Sequence, residues 1–138
     1  MDHLAILDKK RHLLSKILSR EKTIESRWYK HKKTPYGAVA IGDSIYFKDS
    51  GEPVTTKAVV EKVLFFDQLT EEKIKQILWD YGEKIGIPLS SAEGLIEKKF
   101  CTLIFLKNVQ RIDQFQVNKK GFGLMAAWIS VKNINTIK

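Results

Sequence analysis

The sequence has few of the residues that several kinds of chemistry require. Cys101 is the only cysteine, so no internal disulfide can form, and such a chain suits the reducing cytoplasm. One cysteine and three scattered histidines do not have the spacing of a zinc site, so we predict no metal site and no cofactor. No apolar run is long enough to cross a bilayer, and the charged residues between Asp2 and Arg11 leave no room for a signal-peptide core. We therefore expect a cytoplasmic protein that does not bind membranes.

Glycine-rich phosphate loops and nucleophilic triad motifs are absent as well. Positive charge is what the sequence has in excess: 24 Lys and Arg against 16 Asp and Glu give a formal net charge of +8. A basic domain attracts polyanions, of which RNA and DNA are the first candidates. The hydrophobic fraction of 43% is that of an ordinary globular chain, and the length of 138 residues predicts one domain spanning 1–138.

Apolar periodicity predicts an α+β fold of about six strands and three helices. We place strands at 4–7, along the stretch that begins at Lys22, and at 45–48, 54–66, 102–112 and 122–131, with a bulge near Glu61 or Lys62. Val39 and Ile41 also alternate, before the Gly42-Asp43 turn. The helices are predicted from Lys9 to Ser19 with Asp8 as N-cap, from Thr70 to Gly86, and from Ser90 to Lys98 with a Ser90–Glu93 capping box. The strand links are too short for most parallel crossovers, so a mixed, mostly antiparallel small barrel fits best. The tail 132–138 is expected to fray.

The stretch Lys22-Thr23-Ile24-Glu25-Ser26-Arg27 places two cations, a carboxylate and two hydroxyls in six residues. If it is extended, Thr23, Glu25 and Arg27 share one face and Ile24 points to the core. Glu25 stays ionised between two cations and could accept hydrogen bonds from a base, while Arg27 could clamp a phosphate. The alternative is a solvated edge strand with an exposed ion-pair ladder, which contributes little to stability.

The run from Ile17 to Arg27, with Lys22-Thr23-Ile24-Glu25-Ser26-Arg27 at its core, resembles the signature of the ASCH domain, a branch of the PUA-like superfamily. Pro35-Tyr36-Gly37 and the turn beginning Gly42-Asp43 support this resemblance. It implies a PUA-like barrel with helices packed around it, and an RNA or nucleotide-like ligand in a cleft between barrel and helices. One departure is Arg20, where the family usually has a glycine that tolerates a left-handed conformation.

The ligand-binding residues predicted in this way are Lys22, Thr23, Glu25, Arg27 and Lys48. Beside them, the basic loop that follows the signature strand is predicted to contact nucleic-acid phosphates, and tryptophans could stack on bases. These predicted nucleic-acid contacts are Lys30, Lys32, Lys33, Trp28 and Trp128.

An alternative function is a small hydrolase acting on modified nucleosides or on RNA. Some family members resemble amidohydrolases that use a Lys, a Thr and a Glu, and nuclease activity is also associated with the family. Lys22 matches the lysine, but Glu25 occupies the position of the threonine, so Lys22 and Glu25 are the catalytic candidates if the protein is an enzyme. A third possibility is an interaction domain with a protein partner. The sequence leaves open whether the chain is an enzyme, which nucleic acid it binds, and its oligomeric state.

Overall fold

Six strands form one curled sheet in the computed structural model, which describes residues 1–123 and 125–138. The strand order is β2-β5-β4-β3-β1-β6. The strands are β1 Asp2–Leu7, β2 Ile24–Tyr29, β3 Ser44–Asp49, β4 Val54–Phe66, β5 Phe100–Phe115 and β6 Trp128–Val131. β1 and β3 are parallel, and every other neighbouring pair is antiparallel. The predicted mixed, mostly antiparallel α+β barrel is therefore confirmed.

Over the described ranges, two α-helices and three 3₁₀ helices connect or flank the strands. The α-helices are α1 Leu13–Leu18 and α2 Glu71–Ile85, and the 3₁₀ helices are Lys9–Arg11, Leu89–Leu95 and Ile134–Ile137. Thr70 caps α2 because its hydroxyl accepts the Lys73 amide, and Gly86 ends it with a φ of 84°. Asp8 caps the first 3₁₀ helix as predicted, but the left-handed His12 (φ 54°) separates that helix from α1.

Two predicted elements near the C-terminus are wrong in extent or type. The segment after Pro88 is a 3₁₀ helix without a side-chain cap, so the Ser90–Glu93 capping box does not form. The last strand begins at Trp128 rather than at 122, because its partner β1 pairs with it only from Asp2 to Ala5. Leu124, which fell within that predicted strand, lies outside the described residues.

The tail 132–138 does not fray. Its 3₁₀ helix buries Ile134 and Ile137 against β1 and β5, and the Ile134 amide donates to the Asp2 carboxylate at 2.8 Å. Burial of two aliphatic side chains outweighs the conformational entropy that would otherwise loosen a terminus.

Three apolar clusters of the described residues stabilise the fold. The first fills the inside of the curl and includes Phe47 and Ile104. The second packs α2 against β2 and β5 through Ile24, Ile77 and Leu103. The third, described above, lies under the C-terminal 3₁₀ helix. The β4–β5 register shifts between Val60 and Lys62, which confirms the bulge predicted from the change of apolar phase.

Candidate functional site

A cavity of about 320 Å³ lies at the edge strand β2, beside the C-terminal end of α2. Its wall combines charged, hydroxyl and apolar side chains, and it is lined by Arg11, Leu13, Lys22, Glu25, Ser26, Trp28, Ile85, Ile87, Ser91, Gly94 and Leu95. A concave site with an apolar wall and a few converging polar groups is the usual form of a small-ligand pocket. Of the predicted ligand-binding and nucleic-acid residues, the cavity brings together Lys22, Glu25 and Trp28.

Lys22 is only 2% exposed, although it precedes a strand at the edge of the sheet. Its ammonium donates to two backbone carbonyls, that of Ile24 at 2.6 Å and that of Ile85 at 2.7 Å. Ile85 is the last residue of α2, where a cation complements the helix dipole. Burial lowers the pKa of Lys22, the carboxylate of Glu25 opposes this change, and Arg27 and Arg11 add to it. Lys22 therefore joins the signature strand to the end of α2.

Glu25 is 4% exposed and lies between two cations. Its Oε1 is 3.7 Å from Lys22 Nζ and accepts a hydrogen bond from the Ser26 amide at 3.0 Å. Its Oε2 is 3.9 Å from Arg27 Nη2, too far for a hydrogen bond, and within the described part of the chain this buried oxygen has no hydrogen-bond partner. A buried carboxylate oxygen without a donor costs free energy, which a ligand with an N–H or O–H group can recover.

Arg27 is beside Glu25 but does not line the cavity. Its guanidinium donates to the carbonyls of Ala127 and Ile6, both at 3.2 Å, and lies 5.2 Å from the ring centroid of Trp128. Because β2 and β6 are opposite edges of the sheet, these bonds connect the two ends of the curl. Arg27 thus holds the barrel closed and keeps a positive charge near Glu25, rather than presenting a fork to a phosphate in the cavity.

Trp128 does not have an open face for a base. Its side chain is 7% exposed, with the His3 ring centroid 5.6 Å away and the Arg27 guanidinium over the ring. Its indole N–H is within 3.3 Å of the Ser130 hydroxyl. The prediction that Trp128 stacks on a base is corrected, since the tryptophan is part of the core. Trp28, by contrast, is half-buried at the cavity wall and donates to the Ser26 hydroxyl at 3.0 Å.

Thr23 and Lys48 are not in the cavity wall. The backbone of Thr23 forms hydrogen bonds with Lys84 and Leu106. Lys48 is in β3, and its pKa is lowered by burial and, to a smaller extent, by the charge of Lys119. The cavity does not bring either residue to the Lys22–Glu25 pair.

Arg20 has a φ of 67° and donates to the Leu106 carbonyl at 3.1 Å. It therefore adopts the left-handed turn that a glycine would adopt more easily. Its side chain is not in the cavity wall, so the departure from the family pattern does not block the cavity.

The basic loop is exposed, and two of its lysines lie over aromatic rings. Lys33 Nζ is 4.9 Å from the centroid of Tyr29 and Lys32 Nζ is 5.9 Å from that of Tyr36. Lys30 is exposed as well. The loop follows β2 directly but contributes nothing to the cavity wall.

Sequence reasoning missed three polar residues of the cavity. Arg11 is the last residue of the first 3₁₀ helix, Ser26 is in the signature strand, and Ser91 comes from the 3₁₀ helix after α2. The strand pattern includes Ser26, but both faces of an edge strand can be exposed, so the pattern does not show which face lines a cavity. Arg11 and Ser91 have no local signal, because only the tertiary fold brings them to β2.

Within the described residues, no three or more His, Cys, Asp or Glu side chains are placed to hold a metal ion. Among the same residues, no helix is long enough and apolar enough to cross a membrane.

The six-stranded, half-barrel sheet with a helix on its outer face is matched in fold by several solved structures. The chain is similar to the crystal structure of ASCH from Zymomonas mobilis, with a TM-score of 0.71 and 17% identity over 98% of this chain and 90% of that one. Two mutants of that protein match with the same TM-score and identity. A hypothetical protein, PH0355, matches with a TM-score of 0.52 and 19% identity over 81% of this chain and 100% of that one.

The chain therefore has the fold of an ASCH domain. No protein-family model matches the sequence, and no curated protein matches it. At these identities the likeness concerns the fold, so the site and its chemistry rest on the geometry of this chain.

Proposed function

We propose that the cavity binds a nucleotide-like ligand and that the protein is an RNA- or nucleotide-binding module. The observation that carries this proposal is the buried Lys22–Glu25 pair in the cavity wall, with a carboxylate oxygen that receives no hydrogen bond from any residue that the structure describes. Buried carboxylate oxygens in folded proteins are rarely left without a hydrogen bond, because the free-energy cost of desolvation is large. A base or nucleoside with an N–H edge supplies the missing donor to Glu25.

The rest of the wall suits the other parts of a nucleotide. Trp28 offers a half-buried indole ring beside the carboxylate, and aromatic rings stack on bases of any sequence. Arg11 supplies an exposed cation for a phosphate, which a guanidinium binds in a bidentate manner. Arg27 does not line the cavity, but its guanidinium places a positive charge 3.9 Å from the Glu25 carboxylate.

The test is calorimetric titration of the protein with the four common nucleoside monophosphates and their nucleosides. We expect saturable binding of at least one monophosphate, reduced at least tenfold in Glu25→Gln, which keeps the shape and loses one acceptor and the charge. Arg11→Ala is expected to reduce binding of the monophosphate and to leave that of the nucleoside unchanged. Glu61→Gln is the matched control, because Glu61 is exposed in β4, away from the cavity wall. Absence of binding at low salt, or equal affinity in Glu25→Gln and wild type, contradicts the proposal.

A second function, hydrolysis of modified nucleosides or RNA, is favoured by one observation. Lys22 has a lowered pKa and lies 3.7 Å from the carboxylate of Glu25, which is the arrangement of an acid–base pair. In this scheme Glu25 removes a proton from an attacking water, and Lys22 donates to the oxygen of the group that is attacked. The bond to the leaving group then breaks, and the leaving group takes the proton from Glu25.

Incubation with acylated nucleosides and with end-labelled RNA, followed by chromatography, separates a catalyst from a binder. Turnover that disappears in Glu25→Gln, and in Lys22→Met under conditions where circular dichroism shows that variant to be folded, supports the hydrolase. Binding without any product supports the binding module alone.

A further inference from the structure

A group of aromatic rings lies beside the basic loop, where β2 ends and β5 begins. The Tyr36 ring packs edge-to-face against Phe65 and Phe100, with centroid distances of 5.3 Å and 5.1 Å. Tyr29 pairs with Phe100 in the β2–β5 register. These four residues, Tyr29, Tyr36, Phe65 and Phe100, form what we call the aromatic platform. None of them lines the cavity at the other end of β2.

The platform is partly open to solvent. Phe65 is 38% exposed, although it lies in the long strand β4, and Tyr29, Tyr36 and Phe100 are each half-buried. Edge-to-face packing fixes the orientation of the rings at little entropic cost. A single exposed phenylalanine is ordinary, but Phe65 is held by Tyr36, which also packs against Phe100, and such a group is a preformed stacking surface.

Positive charge lies beside the two tyrosines of the platform, Tyr29 and Tyr36. Lys33 Nζ is 4.9 Å from the Tyr29 centroid and Lys32 Nζ is 5.9 Å from the Tyr36 centroid. The segment 26–42 contains no Asp or Glu. Among the described residues, no carboxylate lies within 4.0 Å of the ammonium of Lys30, Lys32 or Lys33. The ammonium groups are therefore held at the rings without a protein counter-ion.

We propose that the aromatic platform binds single-stranded nucleic acid, with an unpaired base stacked on Phe65 and the backbone phosphates on Lys32 and Lys33. Each nucleotide of a single strand carries a flat base and a negatively charged phosphate. The platform offers the matching groups, aromatic rings with lysine ammonium groups about 5–6 Å from their centroids. A duplex does not fit this surface, because its bases are stacked on one another and are not available to Phe65. The platform would bind the same class of ligand as the cavity of the proposed function, but through different residues.

The test is fluorescence anisotropy with labelled oligo-U and oligo-dT of about eight nucleotides, a length within the site size of small single-strand binders. We expect Phe65→Ala to weaken binding by about 5- to 150-fold, the equivalent of one lost base stack. Phe65→Leu keeps an apolar side chain for folding and is expected to lose most of the same affinity. The double variant Lys32→Glu/Lys33→Glu is expected to reduce the slope of log affinity against log salt by about 1.4, or roughly 0.7 per phosphate contact.

The control is Lys57→Glu/Lys138→Glu, which makes the same change in net charge. Lys57 and Lys138 also lie over aromatic rings, those of Tyr46 and Phe115, but in a separate cluster. The control is expected to weaken binding much less than the loop variant. An equal loss in both double variants indicates general charge attraction and overturns the proposal, as does unchanged affinity in the folded Phe65→Leu variant or equal binding of a duplex of the same length.

Monophosphate binding separates this proposal from the proposed function. The platform variants are expected to bind mononucleotides as the wild type does, and Glu25→Gln is expected to keep its oligonucleotide salt slope. If mononucleotide binding fails while the platform variants lose oligonucleotide binding, the cavity proposal is wrong and the platform proposal stands. The reverse result rejects the platform alone.

Discussion

Replacement of Lys22 by methionine is expected to destabilise the protein strongly. Methionine has nearly the same length and keeps the apolar part of the side chain, but it removes a buried ammonium. That ammonium donates to the carbonyls of Ile24 and Ile85 and lies 3.7 Å from Glu25. The variant therefore leaves two carbonyls without this donor and a buried carboxylate without its nearer cation.

The expected loss in the free energy of unfolding is about 3–5 kcal/mol, the range found when one partner of a buried ion pair is removed. Water solvates the Lys22 ammonium in the unfolded chain, so the net loss of stability is smaller than the sum of the individual hydrogen bonds. The double variant Lys22→Met/Glu25→Gln is expected to be more stable than Lys22→Met, since it no longer buries a poorly compensated charge. Lys84→Met, an exposed lysine in the last turn of α2, is expected to change stability by less than about 0.5 kcal/mol.

The pH dependence gives a second measure of the same group. Burial lowers the pKa of Lys22 from the usual 10.5, so between the two values the unfolded chain binds more protons than the native protein. Stability from this group is therefore present above pH 10.5 and is lost as the pH falls through the native pKa. The stability of the wild type relative to Lys22→Met is expected to rise as the pH increases toward 10.5.

Urea denaturation followed by tryptophan fluorescence measures both effects. A loss below about 1 kcal/mol in Lys22→Met, with the same midpoint as Lys84→Met, would refute the reasoning. So would a difference between wild type and Lys22→Met that falls as the pH rises.

Three further predictions concern other parts of the fold. Burial opposes ionisation of Asp43, but hydrogen bonds from His3 and the Ala40 amide prevail and hold the pKa of Asp43 below 3.8. Asp43→Asn is therefore expected to be less stable than the wild type at pH 7, and acid denaturation is expected to show this difference shrinking as the pH falls below 3.8. Arg20→Gly is expected to be more stable than Arg20→Ala by about 1 kcal/mol in thermal unfolding, because both lose the same side chain and only alanine is strained at a φ of 67°. Burial raises the pKa of Cys101, so a thiol reagent is expected to label it only at the rate of unfolding, and fast labelling of the native protein would contradict its placement in the core.

Local patterns were enough to predict most of the fold. Apolar alternation located β4 and its bulge, because a change of phase in a strand has few other causes. Thr70 and Gly86 set the ends of α2, since an N-cap hydroxyl and a left-handed glycine act within one turn. The last strand and the tail were not predictable in this way, because the length of β6 depends on β1 and the order of the tail depends on the apolar surface that it covers.

The candidate site was predictable only in part. The strand pattern brought Glu25 and Arg27 to one face, but it could not show that Lys22 bonds to Ile85, 63 residues away, or that Arg27 bonds to Ala127, 100 residues away. These contacts decide that Lys22 is buried and that Arg27 closes the sheet. Periodicity predicts which face of a strand a side chain is on. Only the tertiary fold shows which distant residue that side chain contacts.

The most direct test of the nucleotide-binding cavity is an NMR titration that follows the three indole N–H signals. Trp28 lines the cavity, Trp79 is 75% exposed on α2, and Trp128 is buried in the core. On addition of a nucleoside monophosphate, the Trp28 signal is expected to shift saturably while those of Trp79 and Trp128 stay in place, and Glu25→Gln is expected to weaken that response. A Trp28 signal that does not move at millimolar nucleotide, or that moves no more than the signal of Trp79, would contradict the account.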